Sequence, residues 1–535
     1  MRPPGPNSPI QFSPNSSGFK LLIAFGTILA AYEVGQIILG GDLRQFAYLG
    51  ILVVGVAGFW GILKDWRKGL YVFLVWILLE DLVRKYLGNN MLLYFTKDVL
   101  LLMVYVAFFA GKTRASPRRF KPPFWIPFVI FLWWGMFEVF NPASTSLSFG
   151  VLGMKIYFFY FPLILLGYYL IESEEDLRRV LLLNAILTLV VAALGIAQSI
   201  LGPSFLNPAE QDPYITLLSN TFRISSEGLA AYRPNSVFVS NGRFQDFLLA
   251  AWPISVGFSA YLFLGQMRGR LIAVAASITV AVASLMAVSR GVFLYNILSA
   301  GVILLGILWG APRRKLQLRR AGKAVLTLAL LGTISLSVFV WFFPKEVQSR
   351  LDVYSETILP SSPTSELYER AGGYPWENFM RAYNDPRWLL GYGIGTSSLG
   401  VQYLTRVFNV ARTKIGIESG YGQLILEIGF VGLLLWIGLS ISIAWSSWQI
   451  VTVLKGTRWF PLGFSIFWYA FLLVIPMAYY TFQAYQDFVI NAYLWLFLGI
   501  LFRLKELSMR TSAAHKISPE EESAPIEIKE QTAPA

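Results

Sequence analysis

The chain has no cysteine among its 535 residues and a single histidine, His515. Without thiols there are no disulfides, no thiolate metal sites and no thiol catalysis. With its one histidine in a polar tail, imidazole base catalysis is not expected and carboxylates are the main candidates for a general base. Charge is scarce as well. Charged side chains make up 14% of the chain, against roughly 25% in soluble domains. Apolar stretches of about 18–22 residues recur throughout, the length at which a helix crosses a bilayer. The net charge of +13 falls in the connections between these runs. No soluble basic module interleaved with aromatics is present, so no nucleic-acid partner is expected.

These patterns predict an all-α polytopic transmembrane bundle of about 14 spans, near 20–39, 46–63, 69–85, 95–111, 124–140, 151–171, 179–201, 244–264, 271–288, 291–310, 325–343, 420–446, 461–481 and 485–503. Lys and Arg cluster in every second connection, as in Lys64/Arg67/Lys68, "KTRASPRRFK", Arg268/Arg270, "RRKLQLRRAGK", Lys455/Arg458 and Arg503/Lys505. The positive-inside rule puts these connections and both termini in the cytoplasm. Residues 1–17 and 506–535 read as disordered ends flanking a membrane domain, 18–505. No cleavable signal is evident, so the first apolar run is expected to stay as an anchor.

Two outward connections are long, 202–243 and 344–419. Long outward segments are where a membrane protein can build a site in the aqueous phase. The second is expected to be partly helical: "LYERAGGYPWENFMRAYND" reads as a turn followed by an amphipathic helix carrying Trp376, Phe379 and Met380. "GYGIG" has no P-loop lysine and no strand–loop–helix context, and reads as a tight turn near the membrane surface. Arginine is frequent on this side, with Arg223, Arg233 and Arg243 in the first segment and Arg370 in the second. Arg290 in "AVSRGVFL" lies in a short outward connection, where basic residues are otherwise rare, and is expected to be paired or to face a polar cavity. Arginine forks hold phosphate oxygens bidentately and keep their charge, so this set suits a lipid-linked pyrophosphate. No metal constellation or cofactor motif is present, so arginines would have to neutralise such a group unaided.

In this order and on one side of the membrane, "RPNSVFVSNGRFQDFLLAAWP", "SRGVFL" and "ERAGGYPWENFMRAYNDPRWLLGYGIGTSS" resemble the O-antigen ligase and O-antigen/exopolysaccharide polymerase superfamily of bacterial inner membranes. The resemblance covers roughly residues 70 to 500. Ser236 stands where that pattern usually has glycine. Ligases of the superfamily carry His-[Asn/Ser/Gln]-x9-Gly-x-x-Gly at the end of the large loop. Here Glu418, Ser419, Gly429 and Gly432 keep the spacing with glutamate for histidine, which looks more like the polymerase-type branch.

The resemblance implies a metal-independent, inverting transfer at the periplasmic face. The donor would be a glycan on undecaprenyl pyrophosphate and the acceptor a glycan or lipid-linked glycan, with a chain-length regulator or flippase as a possible partner. Arg233 and Arg290 would stabilise the leaving group, and Glu418 would accept the acceptor's proton. Arg370, Arg243 and Asp246 are candidates for substrate binding. Glu418 can also be read as a helix cap with Ser419, and Glu427 as a satisfied polar group packed against another span. A ligase acting on a lipid A-core or protein acceptor, and a polysaccharide or lipid-linked oligosaccharide transporter, are the competing readings.

Overall fold

The computed structural model describes residues 58, 61–62, 64–88, 91–111, 120–208, 221–224, 230–310, 315–358, 372–401, 405, 409 and 417–521. The expected span 20–39, nearly all of 46–63, Arg370, the N-terminal segment 1–17 and residues 522–535 lie outside these. In chain order the helices begin with α1 (Trp66–Tyr86), α2 (Met91–Gly111), α3 (Trp125–Val139), α4 (Leu147–Phe158), α5 (Leu163–Leu170) and α6 (Glu174–Leu201). A small antiparallel ribbon follows, β1 (Phe222–Ile224) and β2 (Ala230–Tyr232), with Arg223 opposite Ala231. Then come α7 (Asn241–Gly265), α8 (Arg270–Met286), α9 (Arg290–Gly310), α10 (Lys315–Phe342), α11 (Pro344–Ile358) and α12 (Tyr374–Tyr383). The chain ends with α13 (Gly420–Leu454), α14 (Phe460–Leu472), a π-helical turn (Leu473–Met477), α15 (Ala478–Tyr480), α16 (Gln483–Gln486) and α17 (Phe488–Glu521).

Among the described residues, eight helices are long and apolar enough to cross a membrane, or nine if α10 and α11, bent by 112° at Pro344, count as one broken span. The chain is therefore a multi-pass α-helical membrane protein. Of the other expected spans, α3 and α8 form but have only 15 and 17 residues. Helix α1 forms at 69–85 but carries Glu80, Asp81, Arg84 and Lys85 in its last two turns. Helix α17 runs to Glu521, into the segment expected to be an unstructured tail.

Helix starts follow local chemistry. Ser146, Ser173, Ser240 and Ser419 each accept a backbone N–H at the start of α4, α6, α7 and α13, and Ser173 forms a reciprocal capping box with Asp176. These caps satisfy N–H groups that the first turn leaves without partners. Pro476 has no N–H to give to the ladder, and the turn around it widens to π geometry.

The contacts divide the chain into two units. In the first, Met1–Leu70 with Leu100–Ala110, Trp66 meets Phe108 edge-on at 5.0 Å and Gly69 lies against Ile62 and Val104. The second, Tyr71–Val99 with Gly111–Ala535, holds the candidate site. Its most enclosed span is α17, with 94% of its apolar window buried. A Cβ on Gly499 would lie 2.1 Å from the Ile164 carbonyl, and one on Gly167 would lie 2.2 Å from that of Leu496. Helices α5 and α17 thus meet backbone to backbone, as small residues permit inside membranes. Gly499→Leu forces them apart and should cost about 1–3 kcal/mol or more. Thermal unfolding in detergent should show a clear fall in midpoint, and an unchanged midpoint would contradict this contact.

Candidate functional site

Arg233 follows β2 directly and is held by the segment after it. The Gln198 side-chain oxygen accepts the backbone N–H groups of Asn235 (2.9 Å) and Ser236 (2.7 Å). Ser236 donates its hydroxyl to Val191 O at 2.7 Å, and the buried Lys85 ammonium donates to Ser236 O at 2.7 Å. Ser236 has φ +50°. A glycine is free in that left-handed region, whereas a serine needs such anchoring. The position where the resemblance expects glycine is therefore one where the backbone favours it. The half-buried Arg233 donates to Gln245 Oε1 at 3.2 Å, and Gln245 donates to Ala287 O at 3.4 Å. Burial draws the Arg233 guanidinium below its ordinary pKa, against the opposing pull of Tyr354.

Ala287 begins the connection that carries Arg290. Val288, fully buried, has φ +52°. A β-branched residue held there stores on the order of 1–3 kcal/mol of strain. Val288 packs with Ala231 and Val353, so the ribbon beside Arg233, the connection before Arg290 and helix α11 meet at one place. Ser289 accepts the Val292 N–H and starts α9 with Arg290 as its first residue.

Helix α11 contributes Arg350 and Tyr354, neither of them among the expected site residues. Arg350 is buried and donates to the Met286 and Ser199 carbonyls, both at 3.4 Å, and to Glu346 O. It thereby closes the carboxyl ends of α8 and α6, where cations complement the helix dipole. The Tyr354 hydroxyl donates to Leu285 O at 2.9 Å, its ring stacks on Phe293 at 4.4 Å, and it lies in the field of Arg350, Arg223 and Arg233. Next to this cluster is a cavity of about 640 Å³ between α7, α8, α9, α10 and α11. Its walls are mainly apolar and include Leu285, Phe293, Val347 and Leu351, the residues around Arg350 and Tyr354. An arginine-rich junction beside an apolar chamber can take an amphiphile with an anionic head.

Glu418 sits at another junction of the same unit. Ser419 caps α13, accepting the Gly422 N–H at 3.3 Å. The side chain of Glu418 is exposed, and its backbone N–H donates to Asn378 of α12 at 3.4 Å. Among the described residues the Glu418 carboxylate has no hydrogen-bond or ion-pair partner. Beyond it, α13 breaks at Gly429 (φ 71°, ψ 175°). The stretch 391–400 enters this break. Tyr392 N–H donates to Leu426 O (2.7 Å) and Phe430 N–H to Trp388 O (2.8 Å). A Cβ on Gly429 would lie 2.1 Å from Leu389 O, and one on Gly391 would lie 2.8 Å from Gly429 N. The "GYGIG" turn is thus a loop inserted between α13 and α4. Glu427, fully buried, holds it. It accepts from Ser397 N–H (2.9 Å), Ser398 hydroxyl (2.8 Å) and Tyr157 hydroxyl (2.6 Å). Glu427 is satisfied and packed against another span, as expected.

Tyrosines link α9 to the start of α13. Tyr295, on α9 after Arg290, lies within electrostatic reach of Tyr480, and Tyr479 meets Tyr421 edge-on at 5.5 Å, three residues from Glu418. Arg243 and Asp246 are placed elsewhere. Arg243 is bound by Asp81 at 2.6 Å and Asp487 at 3.6 Å, in a buried network that also holds Arg84–Asp81 (3.3 Å), Lys97–Glu80 (2.9 Å) and Lys155–Asp98 (2.5 Å). Asp246 lines a small internal void with Tyr469, Met477 and Ile490. No family model, curated protein or solved structure matches the chain.

The loop's dependence on Glu427 is open to a direct check. Glu427→Gln keeps an acceptor for Ser397 and should preserve the loop. Glu427→Leu strands buried polar groups, at about 1–3 kcal/mol each. Hydrogen exchange of peptides spanning 391–400 should then speed up in the leucine variant alone. Equal protection in both variants would remove Glu427 as the anchor.

Proposed function

We propose that the chain is a membrane glycosyltransferase of the O-antigen polymerase type, acting on oligosaccharide units carried by undecaprenyl pyrophosphate at the periplasmic face of a bacterial inner membrane. The observation that carries this reading is the pair Arg223 and Arg233 acting on Tyr354, beside a mainly apolar cavity whose wall includes Phe293, three residues after Arg290. A polyprenyl chain suits the cavity, and a pyrophosphate suits the arginines. In the proposed step the acceptor hydroxyl oxygen attacks the anomeric carbon, the bond from that carbon to the pyrophosphate oxygen breaks, and the pyrophosphate leaves with the electron pair. The acceptor's proton passes to the Glu418 carboxylate. Arg233 and Arg290 meet the charge that builds on the leaving group, and clamped groups need little reorganisation to do so. Ser419 takes the capping role, which leaves the Glu418 side chain for the acceptor. Arg243 and Asp246 then act on the site through the packing of α7, and Arg370 remains a candidate for donor binding. The outward placement of the site and the cytoplasmic termini rest on the basic clusters of the connections at the opposite helix ends.

Glu418→Gln should lower glycan transfer by about 10²–10⁴-fold, and Arg290→Ala by about 10²–10³-fold, with the protein still inserted and accumulating. Gel analysis of lipid-linked glycans from cells carrying each variant as the only copy reads this out. Full-length polymer at wild-type levels in either variant would overturn the mechanism. Loss of the gene distinguishes the branches: single repeat units without chains mark a polymerase. Long lipid-linked chains that never reach a final acceptor mark a ligase.

A further inference from the structure

Helix α12 has three faces. Pro375, Asn378 and Ala382 turn toward α13: the first and last are buried, and Asn378 bonds Glu418 and lies against Gly422. Glu377, Arg381 and Asn384 form an exposed polar stripe. The third face carries Trp376, Phe379, Met380 and Tyr383, in which Trp376 and Phe379 stack at 5.5 Å and Phe379 and Tyr383 at 6.3 Å. Trp376 is 55% exposed. What covers this aromatic face follows from what it joins. Tyr383 and Trp388 both pack on Phe430 of α13, at 5.9 and 5.6 Å.

Phe430 heads a stripe of α13 that continues at helical spacing through Leu434, Ile441 and Trp445, which are 53, 57 and 62% exposed. That stripe belongs to a membrane span, and lipid is what covers it. The stretch 430–454 alone rises about 37 Å, enough for a hydrocarbon core of about 30 Å. Phe430 therefore stands near the outer boundary of the core. Leu389 and Leu390, 48 and 49% exposed, flank the junction at the same level. Exposed Arg381 and Arg387 can reach phosphate groups from there.

We propose that the Trp376–Phe379–Tyr383 face of α12 is a membrane-interface anchor, seated in the headgroup layer of the outer leaflet and continuous with the lipid-facing stripe of α13. Its occupant is the bilayer. Through the Asn378–Glu418 bond the anchor is tied to the backbone of Glu418. Aromatic rings with polar tips favour this layer, and an amphipathic helix lying in it buries its apolar face.

The chain's lack of cysteine makes the test direct. Nitroxide labels at W376C, Y383C, E377C and I441C, in nanodiscs of phosphatidylcholine and phosphatidylglycerol, are compared by power saturation with oxygen and a water-soluble nickel chelate. The oxygen-to-nickel accessibility ratio at 376 and 383 should exceed that at 377 by roughly threefold or more, and stay below that at 441. If W376C does not fold, M380C on the same face gives the reading. Equal ratios at 376 and 377 would overturn the proposal. So would a label at 376 that is water-accessible in the nanodisc and shielded only when a lipid-linked oligosaccharide is added, which would make the face a sugar-stacking surface.

Discussion

A carboxylate buried inside a membrane bundle must be fully satisfied, and Glu427 meets that demand with groups from outside its own helix. Its oxygens take hydrogens from Tyr157 on α4 and from Ser397 and Ser398 in the inserted loop. The break at Gly429 is what lets the loop reach it, since a side chain at 429 would collide with Leu389 O. The Gln423 amide donates to Ser397 O, and the Gln486 oxygen accepts the Leu399 N–H, which completes the lining of the loop. Irregular backbone buried among helices is tolerated where protein satisfies its polar groups, as these partners do. This fastening ties the segment between α12 and α13 to the bundle. It fixes where the segment after α12 lies, and thereby where Asn378 holds Glu418.

Several of the enclosed arginines and lysines are bound by fixed partners. Arg243, Lys97 and Lys155 face carboxylates across helices, while Arg350 faces helix carboxyl ends. Removing one member of such a buried pair leaves its partner uncompensated, which is why they read as structure. Arg233 is held differently, with one neutral side-chain acceptor, Gln245, and an Nε that has no hydrogen-bond partner among the described residues. A guanidinium gripped mainly through its backbone keeps donors for an anion that arrives later. This difference in partners, more than exposure or burial, separates Arg233 from Arg243, ten residues on.

Much of the architecture was legible because hydropathy is a local property. The helices at 174–201, 241–265, 290–310 and 420–454 match apolar runs read directly from the chain, and α12 matches its amphipathic pattern. Ser236 and Val288 hold positive φ with no glycine to announce it, so only the structure shows these two turns. What escaped the sequence was set by distant partners. Nothing near "GYGIG" says that it enters a broken helix, since its partners Glu427 and Tyr157 lie some 30 residues after it and far before it. Arg350 and Tyr354 sit in a polar helix that looks solvated until α6 and α8 end against it. The sequence grouped Arg243 and Asp246 with Arg233 by proximity along the chain. One turn of α7 is enough to point Arg243 at Asp81 and Asp487 instead.

The separation of the two junctions has a chemical logic of its own on the proposed reading. A carboxylate base must stay ionised yet free to take a proton, and a guanidinium bonded to it would hold that proton affinity down. An arginine paired with Glu418 would also be lost to the phosphate. On that reading the arginines stand by α9 and the ribbon and the glutamate by α12 and α13, each beside the part of the substrate it would serve. Tyr295, Tyr480, Tyr479 and Tyr421, which link α9 to α13, would offer hydroxyls that neither quench the base nor compete for the anion. A sugar lying across them, with its pyrophosphate toward Arg290, would direct its reacting carbon toward the Glu418 side. The bundle therefore has to hold two surfaces at a fixed spacing, which explains why so much buried polar bonding goes into fixing loops.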